Sequence, residues 1–131
     1  MGLCFGTHPA PAESPVTEGS WSTLPYPMPI NPIHVGLLHT GKVLIVAGSE
    51  NTGSQHDAEE YYGAVWDPVT GTIAVQDLLW DIFCTGMSAM PDGRYLIVGA
   101  TNSYNPFYGD ALASVFDPVT EWSMPPAVRT R

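Results

Sequence analysis

Basic side chains are scarce in this sequence: 4 Lys and Arg stand against 13 Asp and Glu, for a formal net charge of −9. A chain so poor in cations lacks the patch that phosphate backbones and anionic lipid surfaces require, so nucleic acid and membrane-surface binding are disfavoured. An acidic surface is also a common solubilising choice and by itself names no partner. Long apolar runs are missing too. The strongest, Val43 to Ala47, falls far short of the ~20 residues of a membrane-spanning helix. There are only 2 cysteines, Cys4 and Cys84, neither in a metal-ligand spacing, and a disulfide between them is not expected. Leu3, Cys4 and Phe5 form a short apolar patch, but no Lys or Arg occurs before Gly19, so there is no convincing signal peptide. Pro9, Pro11 and Pro15, scattered among small residues, mark residues 1–19 as a flexible lead-in.

Turn-formers are abundant, with 13 Gly and 13 Pro, and the apolar runs between them are short. Hydrophobic residues make up 44% of the chain, so it belongs with globular rather than disordered sequences. Together these features predict an all-β fold of many turns without long helices.

The chain also repeats itself. His39-Thr40-Gly41-Lys42-Val43-Leu44-Ile45-Val46 aligns with Pro91-Asp92-Gly93-Arg94-Tyr95-Leu96-Ile97-Val98, with Gly41 and Gly93 separated by 93 − 41 = 52 residues. Trp66-Asp67-Pro68-Val69-Thr70 aligns with Phe116-Asp117-Pro118-Val119-Thr120, the aspartates separated by 117 − 67 = 50. Trp21-Ser22 and Trp122-Ser123 recur at about twice that interval. A period of ~50 is that of kelch propeller blades, longer than the common helical and leucine-rich repeats.

The repeat predicts a kelch-type β-propeller fragment over residues 20–131, with about two four-stranded antiparallel blades at residues 28–77 and 84–126. Val35–Leu38 and Met87–Met90 read as first strands, Val43–Ala47 and Tyr95–Gly99 as second strands, and Ala64–Trp66 and Ala113–Phe116 as third strands. Ser20–Leu24, Thr72–Val75 and Glu121–Met124 read as fourth strands, the first belonging to a preceding blade. Each Asp-Pro step is a turn in which Pro pre-sets φ and Asp bonds the backbone beyond it. Trp21 and Trp122 read as packing wedges between blades. Closed propellers need about 4 to 8 blades, so the remaining blades, or self-association, are expected to cover the apolar faces.

Few residues suggest chemistry by type alone. Cys84 has no neighbouring His or Lys and, taken alone, reads as a buried, inert thiol; without a partner ring it is expected to be a free thiol of near-reference pKa, shielded if the blades pack and reactive if they do not. His8, His34, His39 and His56 lack metal-type spacing, and His34 and His39 are expected on opposite strand faces. Asp57, Glu59 and Glu60, in the 49–62 connection, lack the calcium-loop pattern and read as a solvated acidic loop. Residues 101–111, with Tyr104, Phe107 and Tyr108, read as an aromatic loop packed under its own blade.

Asp81-Ile82-Phe83-Cys84-Thr85-Gly86, followed by Pro91-Asp92-Gly93-Arg94-Tyr95-Leu96-Ile97-Val98-Gly99, resembles the Asp-x-Phe-Cys-x-Gly segment of galactose oxidase and glyoxal oxidase-like proteins, the copper radical oxidases. Asn31-Pro32-Ile33-His34-Val35-Gly36-Leu37-Leu38 is similar to the preceding blade of that family, and the likeness runs over about residues 19–126. In the family the matching cysteine is joined through sulfur to a tyrosine ring beside a copper ion. The resemblance therefore implies that Cys84 is the thioether cysteine. It also implies a parent enzyme that oxidises a primary alcohol or aldehyde, carbohydrates included, with O₂ to give H₂O₂, and an extracellular or periplasmic location. The family's cross-linked tyrosine, second tyrosine and two histidine ligands lie beyond the positions matched here. No copper, no Tyr–Cys radical cofactor, no metal ligand and no oxidase activity are thus expected of this chain alone. The alternative is a non-catalytic kelch module whose loops bind a protein or a glycan.

Overall fold

The computed structural model describes residues 19–121 and 128–129. They form strands β1 His34–Leu37, β2 Val43–Gly48, β3 Tyr62–Trp66 and β4 Ile73–Asp77, then β5 Gly86–Ala89, β6 Tyr95–Tyr104, β7 Phe107–Phe116 and the two-residue β8 Val128–Arg129. A short helix, α1 Gly53–Asp57, interrupts the β2–β3 connection. Each group of four strands is an antiparallel meander, ordered β1-β2-β3-β4 and β5-β6-β7-β8. The all-β expectation therefore holds.

The turns form as their residues dictate. Asp67 Oδ1 accepts from the Val69 and Thr70 amides at 2.9 and 3.3 Å, and Asp117 Oδ1 accepts from the Val119 amide at 2.8 Å. These side-chain bonds satisfy donors that the tight reversal turns away from the ladder.

β2 is apolar along its whole length because both of its faces are covered. On one face Leu44 and Val46, with Val65 of β3, meet Ile97 and Phe116 of the second sheet, sealed by Leu38, Leu78 and Ile82. On the other, Ile45 and Ala47 lie under Ile30 and Met28. The Tyr95 hydroxyl crosses between the sheets to donate to the Leu37 carbonyl at 2.8 Å. Its ring lies where a side chain at Gly36 would have to be, 2.7 Å from a Cβ built there, so only glycine admits this approach.

Several expectations need correction. Ser20–Leu24 form no strand, and Trp21 is fully exposed rather than wedged. No strand of a preceding blade lies beside this segment among the described residues, and its continuation folds instead over the outer face of the first sheet. There Trp66 Nε1 donates to the Tyr26 hydroxyl at 3.0 Å. The fourth strand of the second sheet is β8, paired with Leu112 and Ala113. Glu121 joins no strand but makes an isolated bridge to Asp117 and accepts from Lys42 Nζ at 3.2 Å, and Trp122 to Met124 lie outside the described residues. Residues 101–111 are no loop. β6 and β7 run through them as a hairpin from Thr101↔Gly109 to Tyr104↔Phe107, closed by a cis Asn105–Pro106 bond. The pairing crosses irregularities between Val98 and Ala100 and between Thr101 and Ser103, which interrupt the two-residue alternation that marks a strand in sequence.

Candidate functional site

The connections β2–β3 and β4–β5 and the tip of the β6–β7 hairpin all emerge at the same end of the two sheets, as the registers Tyr62↔Asp77 and Gly86↔Val98 require. Asp81, on the β4–β5 connection, joins them. The residue is 2% exposed, and its carboxylate binds the β2–β3 connection through both oxygens and its own β4–β5 connection through one. Oδ1 accepts from the Ser49 amide at 2.8 Å and the Phe83 amide at 2.9 Å. Oδ2 accepts from Ser49 Oγ at 2.6 Å and from His56 Nδ1 at 2.8 Å. Four donors offset the desolvation of one buried carboxylate, the condition under which such burial is tolerated.

This arrangement fixes proton positions. An ionised carboxylate only accepts, so His56 carries its proton on Nδ1, leaving Nε2 toward the cleft that the ring lines. Ser49 has spent its single proton on Asp81, so the Tyr104 hydroxyl, 2.7 Å away, donates to Ser49 Oγ. The Tyr61 hydroxyl donates to the His56 carbonyl at 3.1 Å. Burial first, and then the Asp81 charge, raise the Tyr61 phenol above its ordinary pKa. Tyr104 is raised mainly by burial, against a lowering bond from Ser49. Its ring stacks on Phe83 at 5.8 Å, lies 5.3 Å from His56 and meets Phe107 edge-on at 5.6 Å.

Gly48 makes the knot possible. It has φ +59, and any side chain there would run into Asp81 Oδ1 and the Phe83 amide. The chain that follows Asp81 is gripped from the other side by Thr101. Its amide donates to the Asp81 carbonyl at 2.8 Å, and its Oγ1 donates to the Phe83 carbonyl at 2.8 Å.

Cys84 follows directly. It is a free thiol, exposed, with a left-handed φ of +58, and it precedes β5 rather than lying within it. The expectation of a buried, inert thiol is therefore corrected: the backbone inversion at residue 84 turns the side chain out while Thr85 stays buried. Residual desolvation of the sulfur and the nearby Asp81 charge push its pKa above the ordinary thiol value, rather than leaving it near reference. Cys4 lies outside the described residues.

The remaining candidates are scattered. His34 buries its Nε2 without a partner on the face it shares with Val46, and His39 abuts Gly93 of the second sheet. Both thus approach the second sheet instead of opposite faces, because β1 ends at Leu37 and the turn that follows breaks the alternation. His8 lies outside the described residues. Among the described residues no three His, Cys, Asp or Glu side chains converge as a metal-holding group. Of the copper radical set that the sequence resemblance implies, Cys84 is the position expected among the described residues, and no step through copper is derived from them.

Two concave surfaces flank the knot and the outer sheet. A polar cleft of about 610 Å³ opens beside His56, walled by Tyr61, Trp80, Thr101 and Asp110. An apolar groove of about 420 Å³ lies on the outer face of the first sheet between Met28, Val35, Leu37 and Trp66. Asp57, Glu59 and Glu60 are exposed as expected, but Asp57 ends helix α1 rather than standing in a loop.

Sequence reading singled out Cys84 but not Asp81, Ser49, His56 or Tyr104 as a unit. One available signal was Gly48-Ser49 closing a wholly apolar strand, since glycine at a strand end often admits a close backbone approach. The chain matches no protein-family model and no curated protein sequence.

Proposed function

We propose that this chain is two consecutive blades of a kelch-type propeller from a copper radical oxidase resembling galactose and glyoxal oxidases, and that Cys84 is its thioether cysteine. The two meanders of four strands, repeating at about fifty residues and stacked face to face on apolar residues, support the blade reading. The observation that carries the functional reading is Cys84 itself: a free thiol turned outward at a left-handed residue, in the string Asp-Ile-Phe-Cys-Thr-Gly, at the end of the sheets where the connections gather. A cysteine that must bond to a ring on another blade has to leave its own core, and this one does.

In the parent protein, later blades and a separate C-terminal domain would supply the tyrosines and histidines that hold copper, and the bound group would supply the redox chemistry for oxidising a primary alcohol or aldehyde with O₂ to give H₂O₂. This chain contributes the cysteine and the scaffold that holds it, and alone it catalyses nothing. The test has two parts. Translation of the coding frame beyond Arg131 is expected to continue into further blades with an Arg-Trp-Tyr or Arg-Gly-Tyr and a Tyr-His pair. The extended protein is then expected to release H₂O₂ from simple alcohols or aldehydes when loaded with Cu(II), while the 131-residue chain releases none. Turnover by the short chain, or a continued propeller without those residues, contradicts the reading.

The cleft beside His56 favours a second reading, a module that binds a protein or glycan through this loop face, since aromatic walls and directed polar groups are what such ligands use. Ligand binding by an extended protein that lacks the tyrosine and histidine set selects it.

A further inference from the structure

We propose that Asp81 is the positioning residue for Cys84: its carboxylate ties the Phe83 amide to Ser49 and His56 of the first sheet, and so holds the left-handed backbone that turns the thiol outward.

The peptide groups leading to Cys84 are fixed from both sheets. Asp81 Oδ1 takes the Phe83 amide, while Thr101 holds the Asp81 and Phe83 carbonyls. A left-handed conformation at a non-glycine residue is disfavoured unless its surroundings over-determine it, and these bonds do so. The polar hold from the first-sheet side runs through the Asp81 carboxylate, beside the packing of Ile82 on Leu44 and Val46 and the close approach of Gly48 to the Phe83 amide. Ser49 and His56 reach Asp81 across 32 and 25 residues of sequence, and neither contacts Cys84 in any bond described above. The thiol's direction is therefore set by the junction between the sheets rather than by its own strand. The inference rests on the oxidase reading only for what the thiol is turned toward; the geometry stands without it.

The test uses the full chain with Cys4→Ser, so that Cys84 is the sole thiol, and follows alkylation by iodoacetamide at neutral pH together with hydrogen exchange at the Phe83 amide. Asp81→Asn keeps Oδ1 for the Ser49 and Phe83 amides, and its NH₂ can donate to His56 Nδ1 after a tautomer change, but the charge and the bond accepted from Ser49 Oγ are lost. Asp81→Ala removes every bond. Breaking the clamp is expected to speed alkylation roughly tenfold in Asp81→Ala, with loss of Phe83 protection, while Asp81→Asn stays within about twofold of the parent. Should Asp81→Ala fail to fold, Ser49→Ala removes one of the two Oδ2 bonds together with the Tyr104 bond to Ser49 Oγ, and an intermediate acceleration is expected. Equal alkylation rates and Phe83 exchange in the parent and the foldable non-isosteric variant overturn the proposal. So does an Asp81→Asn rate as fast as Asp81→Ala, because the Oδ1 bonds that Asn retains to the Ser49 and Phe83 amides then hold nothing. None of these readouts needs copper or a tyrosine partner, so the proposal and the oxidase reading can fail separately.

Discussion

At the scale of single residues, the knot around Asp81 makes sharp demands. Gly48 holds φ +59 against Asp81 Oδ1 and the Phe83 amide, so Gly48→Ala combines backbone strain with a clash that backbone atoms cannot relieve. A loss of about 2–4 kcal/mol is expected by urea unfolding, whereas an alanine at a neutral surface glycine changes stability by less than about 1 kcal/mol. The raised phenols give a pH signature. Tyr61 and Tyr104 keep their protons in the folded chain beyond the pH at which the unfolded chain loses them. Their stabilisation is fully present below pH 10.0, the unfolded value, and is lost as pH rises through the folded values. Unfolding measured from neutral pH upward is therefore expected to show stability falling in that alkaline window, and Tyr61→Phe with Tyr104→Phe is expected to flatten the fall. Cys84 was legible in the sequence because its neighbours form a contiguous string. Asp81 was not, although it stands in the same string, because its partners Ser49, His56 and Tyr104 reach it only through the fold. His56 lacks metal spacing, so sequence alone gives it no role. What gives it a role is a carboxylate 25 residues away, which no local pattern reports.

At the scale of elements, turn chemistry and the apolar second strands were readable, and strand length was not. Asp67-Pro68 and Asp117-Pro118 announce their turns because the mechanism lies within four residues of chain. The β6–β7 hairpin continues past Gly99 because its outer half pairs across bulges and rests Tyr104 on Phe83 and His56. Those are tertiary supports, invisible to a two-residue alternation. Likewise the stretch around Tyr26 and Ile30 packs on the first sheet without pairing to it, so it carries helix or strand signals of neither kind. Asp67→Ala is expected to weaken the β3–β4 hairpin. The Asp67 carboxylate is held below its ordinary value, chiefly by the Val69 and Thr70 amides, so its contribution is present above pH 3.8 and lost as pH falls through the depressed value. In the second strand, Leu44 is wholly buried between the sheets. Leu44→Ala is expected to cost about 2–5 kcal/mol, read as a lowered urea midpoint.

At the scale of the molecule, two stacked meanders leave apolar surface uncovered. Val35 is 58% exposed and Leu37 71%, beside the groove that Met28 and Trp66 line, and Val98 is 44% exposed on the far side of the second sheet. Propeller blades carry such faces to receive neighbours, and water is a poor substitute. Concentration-dependent association is expected by sedimentation, reduced when Val35 and Leu37 are replaced by Thr; a compact monomer at all concentrations contradicts it. The central claim is that Cys84 belongs to a radical cofactor completed by residues outside this chain. Intact mass measures this most directly, on the protein extended through its downstream reading frame and matured with Cu(II) and O₂, beside its Cys84→Ser variant. The account predicts a deficit of two hydrogens that maps to a thioether between Cys84 and a downstream tyrosine and is absent from Cys84→Ser. An unshifted mass, with Cys84 still open to alkylation while the downstream tyrosine is present, contradicts it.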